Sequence, residues 1–194
     1  MGVIIVEQNI SADGFAADSE GGIGFFWDVD FGDESDADTE QLRRIEAMDA
    51  ILFGRRTYEM FRDYWPSRTV DQEPVSGPMN RIPKHVLSST LEHAPWGDGE
   101  VQILRGSAEA AAADLRERYG SIIVWGSLDL TDALFRVGQV DILRLRVLPV
   151  VLGRGRSFAP DDIPHVPMQL VLTDIGSTGI VTLEYLVGGR AARE

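Results

Sequence analysis

The chain has 194 residues and a formal charge of −13, with 44% apolar and 25% charged residues. That length suits one domain able to bury a full core, and its acidity argues against nucleic acid or an anionic membrane as partner. The absence of cysteine excludes disulfides, iron–sulfur clusters and cysteine zinc sites, and His85, His93 and His165 are too few for a multi-histidine metal site. No metal is expected. No apolar run approaches the ~20 residues of a membrane span. Met1 to Ile10 enters a β-like run with no basic segment, so the expectation is a cytoplasmic protein without a signal peptide.

Val3-Ile4-Ile5-Val6 reads as a buried strand running towards Ser11, followed by a turn at Asp13-Gly14. Phe15 to Asp36 reads as a loop carrying Gly21, Gly22 and Gly24, the aromatic run Phe25-Phe26-Trp27, and then acidic residues. A loop this long is either a lid over a pocket or a segment pinned by its aromatic residues. A helix over Thr39 to Met48 follows, with Asp38 as its cap. Ile51-Leu52-Phe53 is a strand ending at Gly54, and Arg55 to Trp65 a helix stopped by Pro66. Residues 66–82 read as a loop.

His85 to Ser88 and Val101 to Leu104 are the next strands. Ser107 caps an alanine-rich helix ending at Gly120. Ile122 to Trp125 is a strand reaching Gly126, and Leu128 to Val137 a short helix. Asp141 to Leu152 reads as a long strand, apolar on both faces from Ile142, ending in Gly153-Arg154-Gly155. Met168–Asp174 and Ile180–Val187 form a terminal hairpin. Strands alternating with helices predict an α/β fold: a mostly parallel central sheet covered on both faces, with an antiparallel C-terminal hairpin. Ligands of such sheets bind beyond the carboxyl ends of the strands.

Three of those ends stand out. At Gly54-Arg55-Arg56-Thr57, a glycine permits close approach, a helix begins, and two arginines supply charge for a phosphate. The alternative is surface arginines paired with Glu59 or other acids. Ser88-Ser89-Thr90 offers three hydroxyls for a phosphate or ribose, or else makes an ordinary turn. Gly126-Ser127, leading into Leu128, is a second helix start suited to a pyrophosphate. Gly153-Arg154-Gly155 reads as a turn.

Together these residues resemble the dihydrofolate reductase-like superfamily, and more closely the stand-alone relatives of the riboflavin-biosynthesis reductase domain. The resemblance rests on Ser11 to Phe15, Leu52 to Glu59, Lys84 to Thr90, Val124 to Ser127 and Pro149 to Gly155, in the family's order. It implies a three-layer α/β/α fold and NADPH as cofactor. Gly54, Arg55, Arg56 and Thr57 match positions that hold the cofactor phosphates. Ser88, Ser89 and Thr90 match the strand end beside the adenosine 2′-phosphate. Gly126, Ser127 and Leu128 match the pyrophosphate turn, which in the family often contains a cis peptide between two glycines.

On the substrate side, Asp38 matches the acidic residue that protonates or orients the ring, and it is equally a helix cap. Asp13, Trp27 and Phe61 match substrate-side positions, and Met60 either lines the pocket or packs in the core. The arginine that holds a folate tail would fall at Ile82, with Arg81 beside it. The deaminase half of the bifunctional enzymes needs zinc-binding cysteines and is not expected here.

The expected function is NADPH-dependent reduction of a small heterocyclic or carbonyl substrate, similar to 5-amino-6-(5-phosphoribosylamino)uracil reductase. The alternatives are dihydrofolate reduction, or a non-catalytic nucleotide-binding module on the same fold. The acidic run from Asp28 to Asp38 favours a neutral or cationic ring under a lid carrying Trp27. A homodimer is expected.

Overall fold

The apolar run after Gly2 forms β1 (Val3–Ser11). Its side chains alternate between two faces, as a pleated strand requires: Ile4, Val6 and Ile10 enter one core, while Ile5, Glu7 and Asn9 face the other side. This computed structural model describes residues 2–29, 37–176 and 178–188, the side chains of Ala37 and Asp38 excepted. After β1 come β2 (Phe15–Ala17), α1 (Ala37–Glu46), β3 (Ala50–Gly54), α2 (Arg55–Tyr64) and α3 (Ser76–Arg81). Then follow β4 (Lys84–Leu87), the short pair β5 (Pro95–Trp96) and β6 (Gly99–Glu100), β7 (Gln102–Leu104) and α4 (Ala108–Arg118). The chain ends with β8 (Ser121–Trp125), α5 (Leu128–Arg136), β9 (Ile142–Leu148), β10 (Arg156–Ser157), β11 (Met168–Ile175) and β12 (Val181–Val187).

Eight strands form one sheet in the order β11-β12-β9-β1-β8-β3-β4-β7. Pairing is parallel from β9 to β7, and antiparallel where β12 joins β9 and β11 joins β12. Parallel neighbours need crossovers, so the carboxyl ends of β1, β3, β4, β8 and β9 share one rim. One face packs Ile4, Val6, Ile122 and Val124 under Ala112 and Leu115 of α4 and Leu130 and Leu134 of α5. The other packs Ile51, Phe53, Ile123 and Trp125 under Ile45 of α1, Tyr58 of α2 and Met79 of α3. This is the three-layer α/β arrangement expected, with its antiparallel terminal hairpin.

Several boundaries differ from expectation. The long strand stops at Leu148, because Pro149 has no N–H to donate and the chain turns there, Val150 N donating to Leu148 O at 2.8 Å. Nor is that strand apolar on both faces. Arg144 enters the interior, paired with Glu7 of β1 at 2.9 Å and Glu184 of β12 at 2.8 Å. The segment 66–82 contains α3, whose Met79, together with Val75 and Ile82, packs into the core. Helix α1 starts at Ala37, so Asp38 is its second residue rather than its cap. Ser107 does cap α4, accepting from Ala110 N at 3.1 Å. Gly153-Arg154-Gly155 is a turn: β2 and β10 pair, and a Cβ at Gly155 would lie 2.2 Å from the Ala17 carbonyl oxygen.

Candidate functional site

The carboxyl ends of β3 and β8 are tied to each other. Beyond Trp125 the chain turns through Gly126 and Ser127, both left-handed at φ 51°. Glycine adopts that conformation freely, whereas serine resists it by about 1–2 kcal/mol. Hydrogen bonds hold it there. Ser127 N donates to Thr57 Oγ1 at 2.9 Å, and Ser127 Oγ accepts from Gly54 N at 2.9 Å. Gly126 O accepts from Gln8 Nε2 at 2.5 Å and Thr131 Oγ1 at 3.0 Å. No peptide bond among the described residues is cis, so the turn is made by the two left-handed residues instead. The hydroxyls of Thr57 and Ser127 thus brace the two turns, and Leu128 opens α5 behind them, packed on the core.

Helix α2 begins at this brace. Its N-cap, Gly54, offers no side-chain oxygen, and no acid occupies the first turn. Arg55 and Arg56 are both exposed there. Arg55 bonds Glu59 at 2.8 Å and Thr90 Oγ1 at 2.9 Å, so its pairing with Glu59 is realised. Arg56 has no ion pair among the described residues. At the end of β4, Ser88 Oγ accepts from Thr90 N at 3.2 Å and Leu91 N at 3.1 Å, which is turn chemistry, while Ser89 and Thr90 are exposed. Arg105, which the sequence reading missed, follows β7 and braces this loop through the carbonyls of Ser88, at 2.5 Å, and Leu91. An uncapped helix start, two exposed guanidiniums and exposed hydroxyls form a donor set that can hold phosphate groups.

A second group lies on the α1 side of the sheet, next to Trp125. Trp125 Nε1 donates to Glu7 Oε1 at 3.0 Å, and Gln41 Nε2 of α1 donates to the same oxygen at 2.6 Å. Burial pushes the Glu7 carboxyl up, but the guanidiniums of Arg144 and Arg146 and the hydrogen bonds from Arg144 and Gln41 outweigh it, and the net direction is down. Glu7 is therefore an ionised carboxylate. Phe61 packs against Trp125 at 6.4 Å between ring centres and edge-on to Phe53 at 5.2 Å. Met60 is 42% exposed and does not pack in the core. Sequence reading passed over Glu7 and Gln41, although a charged residue directly after Val3-Ile4-Ile5-Val6 was a visible signal.

The remaining substrate-side expectations lie elsewhere. The carboxylate of Asp13 accepts from Leu152 N at 3.1 Å and Gly153 N at 2.7 Å, holding the turn after β9 to the turn after β1. The Ser11 hydroxyl and these backbone bonds hold that carboxyl below its usual range. Phe25 and Val29 pin the loop to Leu148 at the carboxyl end of β9, and Trp27 is left 66% exposed, edge-on to Phe26. The Asp38 side chain and residues 30–36, hence most of the acidic run, lie outside the described residues.

The mostly parallel sheet in three layers is the fold of the dihydrofolate reductase-like class, as the superpositions below show. Within that class the chain belongs to the RibD C-terminal domain family, whose sequence profile matches residues 3–182. It is 26% identical to the protein YyaP of Bacillus subtilis (strain 168) over 186 residues, 94% of this chain and 93% of YyaP. A Shewanella sp. PV-4 protein ascribed to riboflavin biosynthesis superposes with TM-score 0.75 at 19% identity, covering 95% of this chain and 98% of that one. The Thermotoga maritima diaminohydroxyphosphoribosylaminopyrimidine deaminase/5-amino-6-(5-phosphoribosylamino)uracil reductase gives 0.68 at 13% identity, over 95% of this chain and 56% of that one. Enterococcus faecalis dihydrofolate reductase, complexed with NADP(H), gives 0.55 at 12% identity, over 96% and 95%. The structural matches speak for the fold. Among the described residues no helix is long and apolar enough to cross a membrane, and no acidic, histidine or cysteine cluster forms a metal site.

Proposed function

We propose that this protein is an NADPH-dependent reductase of a small heterocyclic or carbonyl substrate. The observation that carries this reading is the brace between Gly54-Thr57 and Gly126-Ser127, which fixes two helix starts side by side on one rim. The residues present fit the cofactor. The start of α2, with Arg55 and Arg56, would hold phosphates, Gly126-Ser127 would border the pyrophosphate, and exposed Ser89 and Thr90 would meet the adenosine ribose and its 2′-phosphate. NADPH supplies the hydride when bound. The protein then has to position the ring against the Phe61–Trp125 wall and exclude water. The described loop residues between β2 and α1, with Trp27, are suited to covering that wall.

Family membership supports an oxidoreductase, and the NADP(H)-bound neighbour supports the cofactor. The test is NADPH oxidation followed at 340 nm across pterins, pyrimidinediones and quinones. NADPH is expected to bind in preference to NADH, and Arg56→Ala to weaken it by roughly 1.5–3 kcal/mol, the scale of a hydrogen bond to a charged group. Equal affinity for the two cofactors would overturn the 2′-phosphate assignment.

A further inference from the structure

Glu7 is only 3% exposed, on a strand whose preceding four residues are all apolar. Its Oε2 accepts from Arg144, and its Oε1 accepts from both Trp125 Nε1 and Gln41 Nε2. An ionised carboxylate only accepts hydrogen bonds, so a carboxamide beside it must present its NH2 end. The other end of the Gln41 carboxamide is thereby fixed. Gln41 is 7% exposed, and its Oε1 is buried with no hydrogen-bond partner among the described residues. Interiors seldom leave a buried acceptor unmatched. The Nε2 of the same carboxamide shares the Glu7 oxygen with the indole of Trp125, whose ring lies tilted against Phe61 and which leads directly into Gly126-Ser127.

We propose that Gln41 is a specificity residue of the substrate site, its Oε1 accepting a hydrogen bond from a ring N–H of the substrate. Glu7 is the positioning residue that decides which end of the carboxamide faces the ligand. This inference rests on the reductase reading and narrows it. It selects nitrogen heterocycles with a ring N–H, such as lactams and pyrimidinediones, over quinones, which would leave the oxygen unpaired.

The test uses two probes that differ in ring N–H groups, 5,6-diaminouracil and 5,6-diamino-1,3-dimethyluracil, titrated calorimetrically into the full-length protein with and without NADPH. The wild type is expected to favour the N–H form by about tenfold, the worth of one well-made hydrogen bond. Gln41→Met, close in shape but without the acceptor, is expected to bring the ratio near one while NADPH affinity stays unchanged, and to lower the melting temperature, because the Glu7 carboxylate loses one of its donors. A preference due only to crowding of the methyl groups would survive that substitution. Should Gln41→Met not fold, Gln41→Asn, which keeps a carboxamide but withdraws its oxygen by one methylene, is expected to reduce the same ratio. No discrimination by the wild type, full discrimination in the variants, or binding of NADPH but of neither uracil would overturn the inference and leave the reductase reading standing. Failure to bind NADPH would overturn that reading, and the uracil ratio measured without cofactor would still decide the role of Gln41.

Discussion

Ser127 is the only residue other than glycine with positive φ among those described, and it is also the contact between two strand ends. Ser127→Ala keeps the strain and leaves Gly54 N–H without its acceptor, so a loss of about 1–2 kcal/mol is expected in urea unfolding. Ser127→Gly loses the same bond but relieves the strain, and should fall between that variant and the wild type. The sequence made the importance of Gly126-Ser127 legible, because a glycine at a strand end before a helix has few other uses. It did not reveal that the Ser127 backbone N–H meets the threonine hydroxyl, since that depends on pairing residues 70 positions apart. His85 illustrates a different consequence of burial. Burial first, and Arg118 second, depress its pKa to about 4. The unfolded chain takes up that proton near pH 6.5, so stability is full above that value and falls as pH drops towards 4. The loss is expected to be on the order of 2 kcal/mol, read as melting temperature against pH, and His85→Leu should flatten that part of the profile.

Among the elements, the described part of the loop between β2 and α1 holds one buried and one exposed aromatic residue of its run. Phe25 is buried against Leu148, whereas Trp27 is exposed. Phe25→Ala should therefore cost about 3 kcal/mol or more in stability, as a buried phenylalanine does. Trp27→Ala should leave stability nearly unchanged and lower turnover or substrate affinity, with cofactor affinity retained. Unchanged steady-state kinetics in Trp27→Ala would refute the gate. Sequence reading recognised the aromatic run as either lid or anchor, and Phe25 is an anchor. Helix α3 was missed for a definite reason: Gly77 and Pro78 lie in its first turn, where proline is tolerated but reads as a loop signal. The spacing of Val75, Met79 and Ile82, which all pack in the core, was the overlooked sign of a helix.

At the scale of the whole molecule, the sheet ends on one side in β11, an edge strand exposing Met168, Leu170, Val171 and Ile175. An apolar edge of this kind invites pairing with another strand, and a second copy of the chain is the proposed cover. Light scattering at micromolar concentration is expected to give twice the 21.4 kDa chain mass, and the monomer mass would refute the dimer. Strand β9 offers no apolar surface of that kind, since it carries Arg144, and the charges on that strand serve another purpose. Glu7, Arg144 and Glu184 join three adjacent strands, β1, β9 and β12, by buried ion pairs. Removing one member of such a set leaves a charge stranded in the interior, at a cost of about 3–5 kcal/mol. The terminal hairpin is consequently not an interchangeable module. A chimaera that grafts the hairpin of a relative onto this chain would inherit a working edge only if the graft also brings an acid to position 184. Without it, the mismatch would be felt at Glu7, two strands away, and so at the carboxamide that Glu7 orients.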